Sequence, residues 1–296
     1  MAHPHDGQEA SGSLPEPDED VYAIREPEEP PAERMMRPLA RRVELEPPEE
    51  AEQPFSPPPV LILSFVYGVF AFPWYPQTVA AWGLVSIGAT LTAEGVVFCF
   101  WLADIGMGMA VRAFGPAVLL VGTFCLSYTS ACFSTIIEQT AEGGERIEQW
   151  PSGLWRDWFW TMPFTLGMLL PPLVVVAILA RLAGVESDWP YAVAAWLAYP
   201  VLLLSALESG SPLAPASAVV LRSLRSVWWG WAVVYAVSAA MGLAWYGAVR
   251  ETFPYRPFAA TLLAAPAATA ALFIYARLLG RLMWCAGQRE LDGDDE

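Results

Sequence analysis

The chain reads as an all-α protein: a polytopic transmembrane helical bundle of about six spans, preceded by a disordered N-terminal tail. Three observations predict this class. The 296 residues are 55% hydrophobic, and the apolar residues come in long blocks, several reaching the roughly 20 residues a helix needs to cross about 30 Å of hydrocarbon. The fourteen Trp lie mostly near block ends, where indole rings favour the two membrane interfaces. The formal charge of -15 is confined to the ends: residues 1–58 hold 15 acids against 5 Arg, Glu290–Glu296 holds 5 acids, and the body between is nearly neutral.

The chain divides into residues 1–58, a cytoplasmic tail; 59–289, the transmembrane helical domain; and 290–296, a short acidic end. The tail is rich in Pro, Glu and Asp and poor in aromatics, so it cannot bury enough surface to offset its ordering entropy. Inside it lies a basic-apolar island, Ala32 to Arg42, which is either a docking peptide for a partner or an Arg cluster that sets topology. The N-terminus is polar and acidic and does not read as a signal peptide. Val60–Phe72 is apolar but short, and Pro73-Trp74-Tyr75-Pro76 follows. The expectation there is an interfacial helix over 60–72; were it to span, the count would be seven.

Six spans follow, at about 79–103, 113–137, 158–182, 189–207, 227–249 and 257–279. After the second, Glu138, Glu142, Glu145 and Glu148 have spacings of four, three and three, which predict one helical face on a solvated extension of that span. The third contains Pro163 and the pair Pro171-Pro172, so a bend is expected there. Between the fourth and fifth, an Arg-bearing elbow (Arg222, Arg225) runs into Val227-Trp228-Trp229, with Ser217 as the expected N-cap of its helix. Arg asymmetry orients the whole. Arg41, Arg42, Arg146, Arg156, Arg222, Arg225, Arg277, Arg281 and Arg289 fall on one side of a six-span chain, and Arg112, Arg181, Arg250 and Arg256 on the other. Nine against four predicts both termini in the cytoplasm, and it favours six spans over seven.

No catalytic signature is present: no P-loop, HExxH, GxSxG or dinucleotide fingerprint. The only His residues, His3 and His5, lie in the tail, so a His-based acid–base mechanism in the body is excluded. The expectation is a non-enzyme with no cofactor and no metal. Cys99, Cys125, Cys132 and Cys285 sit in or beside apolar runs without CxxC spacing, as small buried hydrophobes do. Acids meeting at a membrane face, such as Glu138, Glu142, Asp157 and Glu208, would reopen the enzyme case.

Glu94 is the sharpest site candidate, because an acid well inside a span is costly in hydrocarbon and must face protein or water. Two readings stand: a proton or cation site, or a hydrogen-bonded carboxyl that glues two helices. Ser127, Tyr128, Thr129 and Ser130 on the second span are expected at similar depth. A bend at Pro171 and Pro172 would add freed carbonyls to an intramembrane polar site near the midplane, as in transporters with broken helices. Ser238 and Gly242 have small-xxx-small spacing, which serves packing within the monomer or a homo-oligomeric face through spans five and six. Membrane lipids are the expected surroundings. Acidic tails argue against nucleic acid.

Ile136 to Gly144, Ile147-Glu148-Gln149-Trp150-Pro151 and Trp155-Arg156-Asp157-Trp158-Phe159 resemble uncharacterised multi-pass membrane proteins of planctomycete-type bacteria. Ala206 to Leu213 and Phe72-Pro73-Trp74-Tyr75-Pro76 extend the likeness, which covers roughly residues 60 to 285. These proteins are similar to a broader prokaryotic membrane family of unknown function. The resemblance implies the bundle architecture and a bacterial inner-membrane home, and it brings no activity. The expected function is therefore that of an inner-membrane scaffold or accessory subunit whose acidic cytoplasmic tail recruits a partner. The alternative is a small-solute or lipid transporter with its polar site around Glu94.

Overall fold

A computed structural model describes residues 65–152, 155–211 and 217–293. The tail 1–58 and the Ala32–Arg42 island lie outside the described residues. Among those described the secondary structure is entirely helical. A single 3-10 turn, Phe72–Trp74, leads into α1 (Pro76–Asp104) and α2 (Gly108–Ala141). Three shorter helices follow: α3 (Trp155–Phe159), α4 (Thr161–Gly167) and α5 (Leu170–Ala183). Then come α6 (Trp189–Ser209), the elbow α7 (Ala218–Ser226), α8 (Trp228–Thr252) and α9 (Pro257–Gly293). Six segments are long and apolar enough to cross a membrane: α1, α2, α4 with α5, α6, α8, and Pro257–Gln288 of α9.

Local chemistry explains most boundaries. Pro occupies the first turn of α1, α5 and α6, where its missing N–H costs nothing and its fixed φ suits a helix start. The bend in the third span takes that form: α4 stops at Gly167, and Pro171 and Pro172 open α5. Pro163 is carried within α4. The elbow is capped as its sequence predicts, with the Val219 N–H donating to Ser217 Oγ at 3.2 Å.

Two segments differ from the expectation. Of the interfacial helix expected over 60–72, residues 60–64 lie outside the described residues; among those described, helix stops at Val66 and the chain turns at Gly68, whose φ of 76° few other residues adopt. Phe65, Val69 and Phe72 are buried in the bundle, so this segment plugs the protein from below. The four-carboxylate helical face also does not form. α2 ends at Ala141, and Gly143 takes φ 81°, so Glu145 and Glu148 lie in a loop. A Cβ at Gly143 would stand 3.0 Å from Trp284 Nε1, so both backbone and space call for glycine at this turn.

α1, α2 and α9 form the central group. α8 packs on α9, α4 on α2, and α5 with α6 makes a peripheral hairpin. The described N-terminal segment and the end of α9 lie together, at what we call the terminal end; the loops after α1 and α8 mark the far end. Most buried residues of α2 and α9 are in their terminal halves, whereas α2 before Ser127 and α8 beyond Val234 bury little. The far half faces lipid.

The terminal end is held by two Arg of α9. Arg277, 4% exposed, donates to Thr140 Oγ1, to the Gly144 carbonyl and to the Glu145 carbonyl, each at 2.8 Å. Its guanidinium lies 5.0 Å from the Phe72 ring centre. Arg281 donates to the carbonyls of Phe65 and Tyr67 at 2.7 and 2.8 Å. Gln139 binds the same loop from α2, donating to the Gln149 carbonyl and accepting from the Glu148 N–H. Close approach of α2 and α9 depends on Gly280, where a Cβ would meet Thr140 Cβ at 2.5 Å and the Ile137 carbonyl at 2.7 Å. Arg277→Ala should therefore destabilise the detergent-solubilised protein by about 3 kcal/mol, the scale of losing hydrogen bonds to a buried charge. Gly280→Ala should cost about 1–3 kcal/mol by overpacking. Both are read as lowered midpoints of thermal unfolding, against an unchanged Gly242→Ala, whose Cβ meets nothing within 4 Å.

Candidate functional site

Glu94 lies on α1, half-buried, and its partner is Thr261 of α9: the hydroxyl and Glu94 Oε1 are hydrogen-bonded. Thr261 Oγ1 also stands 2.9 Å from the Phe258 carbonyl and 3.1 Å from that of Pro257. A hydroxyl has one proton, and Thr261 directs it to Glu94 Oε1.

Ser127, Tyr128 and Ser130 are at a different depth. α1 and α2 are antiparallel, with Gly88 against Cys125, Thr92 against Gly122 and Gly95 against Val118. That register sets Ser127 level with Ser86, eight residues and about 12 Å along the axis from Glu94. Ser127 donates to the Thr123 carbonyl at 2.8 Å and lies 3.6 Å from Met162 Sδ. Tyr128 packs its ring on Trp158, and Ser130 is buried. Pro171 is exposed and Pro172 buried at the start of α5, which packs on α6. Glu94 and Ser127 are thus at different depths, and the proline pair opens the helix that packs on α6. Ser238 accepts from Trp196 Nε1 of α6 at 2.9 Å, so the small-residue stripe is half used within the monomer. Among the described residues no three His, Cys, Asp or Glu are grouped to hold a metal.

A second polar feature runs along α1. Thr78, Trp82, Ser86, Thr90 and Glu94 recur every four residues. α9 carries the matching row Thr261, Ala265, Thr269, Phe273 and Arg277. Because the helices are antiparallel and Glu94 meets Thr261, equal rise per residue puts Ser86 level with Thr269 and Thr78 level with Arg277. Most hydroxyls in these spans bond back to their own helix: Thr92 to Gly88, Thr123 to Leu119, Thr129 to Cys125, Thr165 to Thr161 and Thr269 to Ala265. Thr78, Ser86, Ser134 and Ser205 do not, and their buried oxygens, like Trp82 Nε1, have no protein partner. The four-residue recurrence is visible in the chain itself; the Glu94–Thr261 contact is not, since α9 is distant in sequence.

No protein-family model, curated protein or solved structure matches the chain. Its class is that of a multi-pass helical membrane protein with six candidate spans, and any finer statement rests on its own residues.

The site geometry predicts where energetic coupling lies. Glu94→Ala should cost about 0.5–1.5 kcal/mol, the usual scale of an interhelical hydrogen bond in a membrane protein, and Glu94→Gln less. In double-mutant cycles Glu94 should couple to Thr261, while Glu94→Ala and Ser127→Ala should add within about 0.5 kcal/mol.

Proposed function

We propose that this chain is a non-enzymatic anchoring or accessory protein of the bacterial inner membrane, with both termini cytoplasmic and residues 1–58 recruiting a soluble partner. The observation that carries this reading is the grip of Arg281 on the Phe65 and Tyr67 carbonyls. It ties the chain to α9 where the tail meets the bundle. A tail attached to a fixed point presents its motifs close to the membrane surface, and its excess of acids keeps it off anionic headgroups. Arg277 and Gln139 hold the neighbouring loop in the same way, so the terminal end is a firm platform. The residue likeness to planctomycete-type membrane proteins belongs to the same proposal.

A transport role has one observation in its favour, the Glu94–Thr261 pair inside the membrane-spanning region. Ser127 lies about 12 Å along the axis from Glu94, at a different depth, so this reading stands second.

The test compares full-length protein with the 59–296 truncation, both reconstituted and used to capture cytoplasmic proteins. The expected result is a stoichiometric partner retained by the full chain and by Glu94→Gln but lost with the tail. Equal capture by both forms would sink the proposal. Single cysteines at positions 20 and 290, in a background with the four native cysteines replaced, should both label from the cytoplasmic side.

A further inference from the structure

We propose that the elbow helix α7 is a binding site for an anionic phospholipid, whose phosphate Arg222 and Arg225 hold while its acyl chains lie along Leu221 and Trp228. This goes beyond the anchoring role. It depends neither on the tail's partner nor on which side of the membrane the termini lie.

Three observations combine. The first is where α7 must sit. It joins the end of α6 to the start of α8, and both are long and apolar enough to cross a membrane. A short helix between two such ends lies at a bilayer surface. It does so at the terminal end, since Gly230 in the first turn of α8 stands against Leu282 of α9. The second is how α7 divides its own surface. Val220, Ser223 and the following Val227 are buried, and the helix packs on α6, α8 and α9. Ala218, Leu221, Arg222 and Arg225 are exposed. At about 100° per residue, Leu221 and the half-buried Leu224 fall between the buried face and the two Arg. Those Arg are three residues apart, neighbours on a helix surface. Leu221 is 49% exposed, and Trp228 at the start of α8 is 67% exposed. A basic strip bordered by exposed apolar side chains, with a Trp at its edge, is the form of a helix lying in a membrane interface. The third is rigidity. The Ser217 cap fixes the first turn of the elbow. Trp231 Nε1 donates to Ser223 Oγ at 3.2 Å, which fastens the elbow to α8. The Phe65 ring stands edge-on to Trp229, with ring centres 5.3 Å apart. Both Arg are therefore carried on a fixed backbone, which leaves less freedom to lose on binding.

The occupant is a phospholipid, not a soluble anion or the chain's own tail. Guanidinium groups pair with phosphate oxygens through parallel N–H donors. A free phosphate satisfies the two Arg but leaves Leu221 and Trp228 against water, whereas acyl chains cover them. The tail enters the bundle close by, at Phe65, and carries Glu44, Glu46, Glu49, Glu50 and Glu52. Its charged, proline-rich composition suits water and not the apolar border at the ends of two spans.

The experiment reconstitutes full-length protein in nanodiscs of equal phosphatidylglycerol and phosphatidylcholine, then identifies the lipids that stay bound by native mass spectrometry. Phosphatidylglycerol should be retained in preference. Arg222→Gln with Arg225→Gln should lower the ratio of the two lipids about tenfold, the scale of two Arg at an anionic surface. Arg225→Gln alone should lower it about threefold. Each variant is first checked for unchanged thermal unfolding. Arg250→Gln with Arg256→Gln, at the far end, should leave the ratio as in wild type. Glycerol phosphate, a headgroup without acyl chains, should not displace the lipid. Replacing the five tail acids by Gln should not change its retention. No preference in wild type, or an equal fall in the far-end pair, overturns the proposal. So does displacement by glycerol phosphate, which marks a free-phosphate site. Retention that rises when the tail acids are removed assigns the Arg strip to the tail and overturns it too. If the double variant does not fold, Arg225→Gln alone decides.

Discussion

The buried guanidinium of Arg277 is the interaction on which the terminal end depends. A charge held this deep must be saturated with hydrogen bonds, because its desolvation is otherwise far too costly. Arg277 meets that demand with uncharged oxygens, the Thr140 hydroxyl and two loop carbonyls, and with the face of Phe72. Each partner constrains a different piece of chain. α2 must end where Thr140 and Gly144 face α9, the loop must fold back, and the segment before α1 must tuck under the bundle. Gly280 completes the arrangement by letting α9 approach α2 closely enough to touch its backbone.

This concentration of polar interactions at one end leaves an asymmetric bundle. Toward the terminal end, α2 and α9 carry most of their buried residues, and the loop and pre-α1 segment close the base. Toward the far end, α2, α5 and α8 show large apolar side chains to their surroundings. In water such exposure would mark an unstable fold, but in a bilayer it is the solvated state, since lipid tails are as apolar as the side chains. Structural definition therefore follows the hydrogen bonds, and the Glu94–Thr261 bond carries one such contact into the membrane-spanning region.

The candidate site was legible in part. Glu94 stood out because an acid inside an apolar block is expensive wherever the helix lies. Its partner was not legible. Thr261 is 167 residues away, and nothing local to either residue fixes the relative height of two spans. Ser127 and Ser130 sit near the middle of their own span, but sequence position gives no common depth for antiparallel helices of different length. Packing at Gly88, Gly95 and Gly122 sets that offset. Similar limits governed the loop acids: Glu138, Glu142, Glu145 and Glu148 have helical spacing, yet Gly143 ends the helix between them.

From the sequence alone followed the class, the six apolar segments, the proline-broken third span and the Ser217 cap. All are decided within one stretch of chain, by segment length, by the fixed φ of proline or by a side chain reaching two residues along. Tertiary structure decided which faces meet, that Arg277 and Arg281 bind carbonyls instead of marking topology alone, and that Glu94 belongs with α9 and not with α2. Those outcomes depend on close approach between distant segments, where a glycine with no Cβ or a long guanidinium arm selects one register among many that hydropathy permits equally.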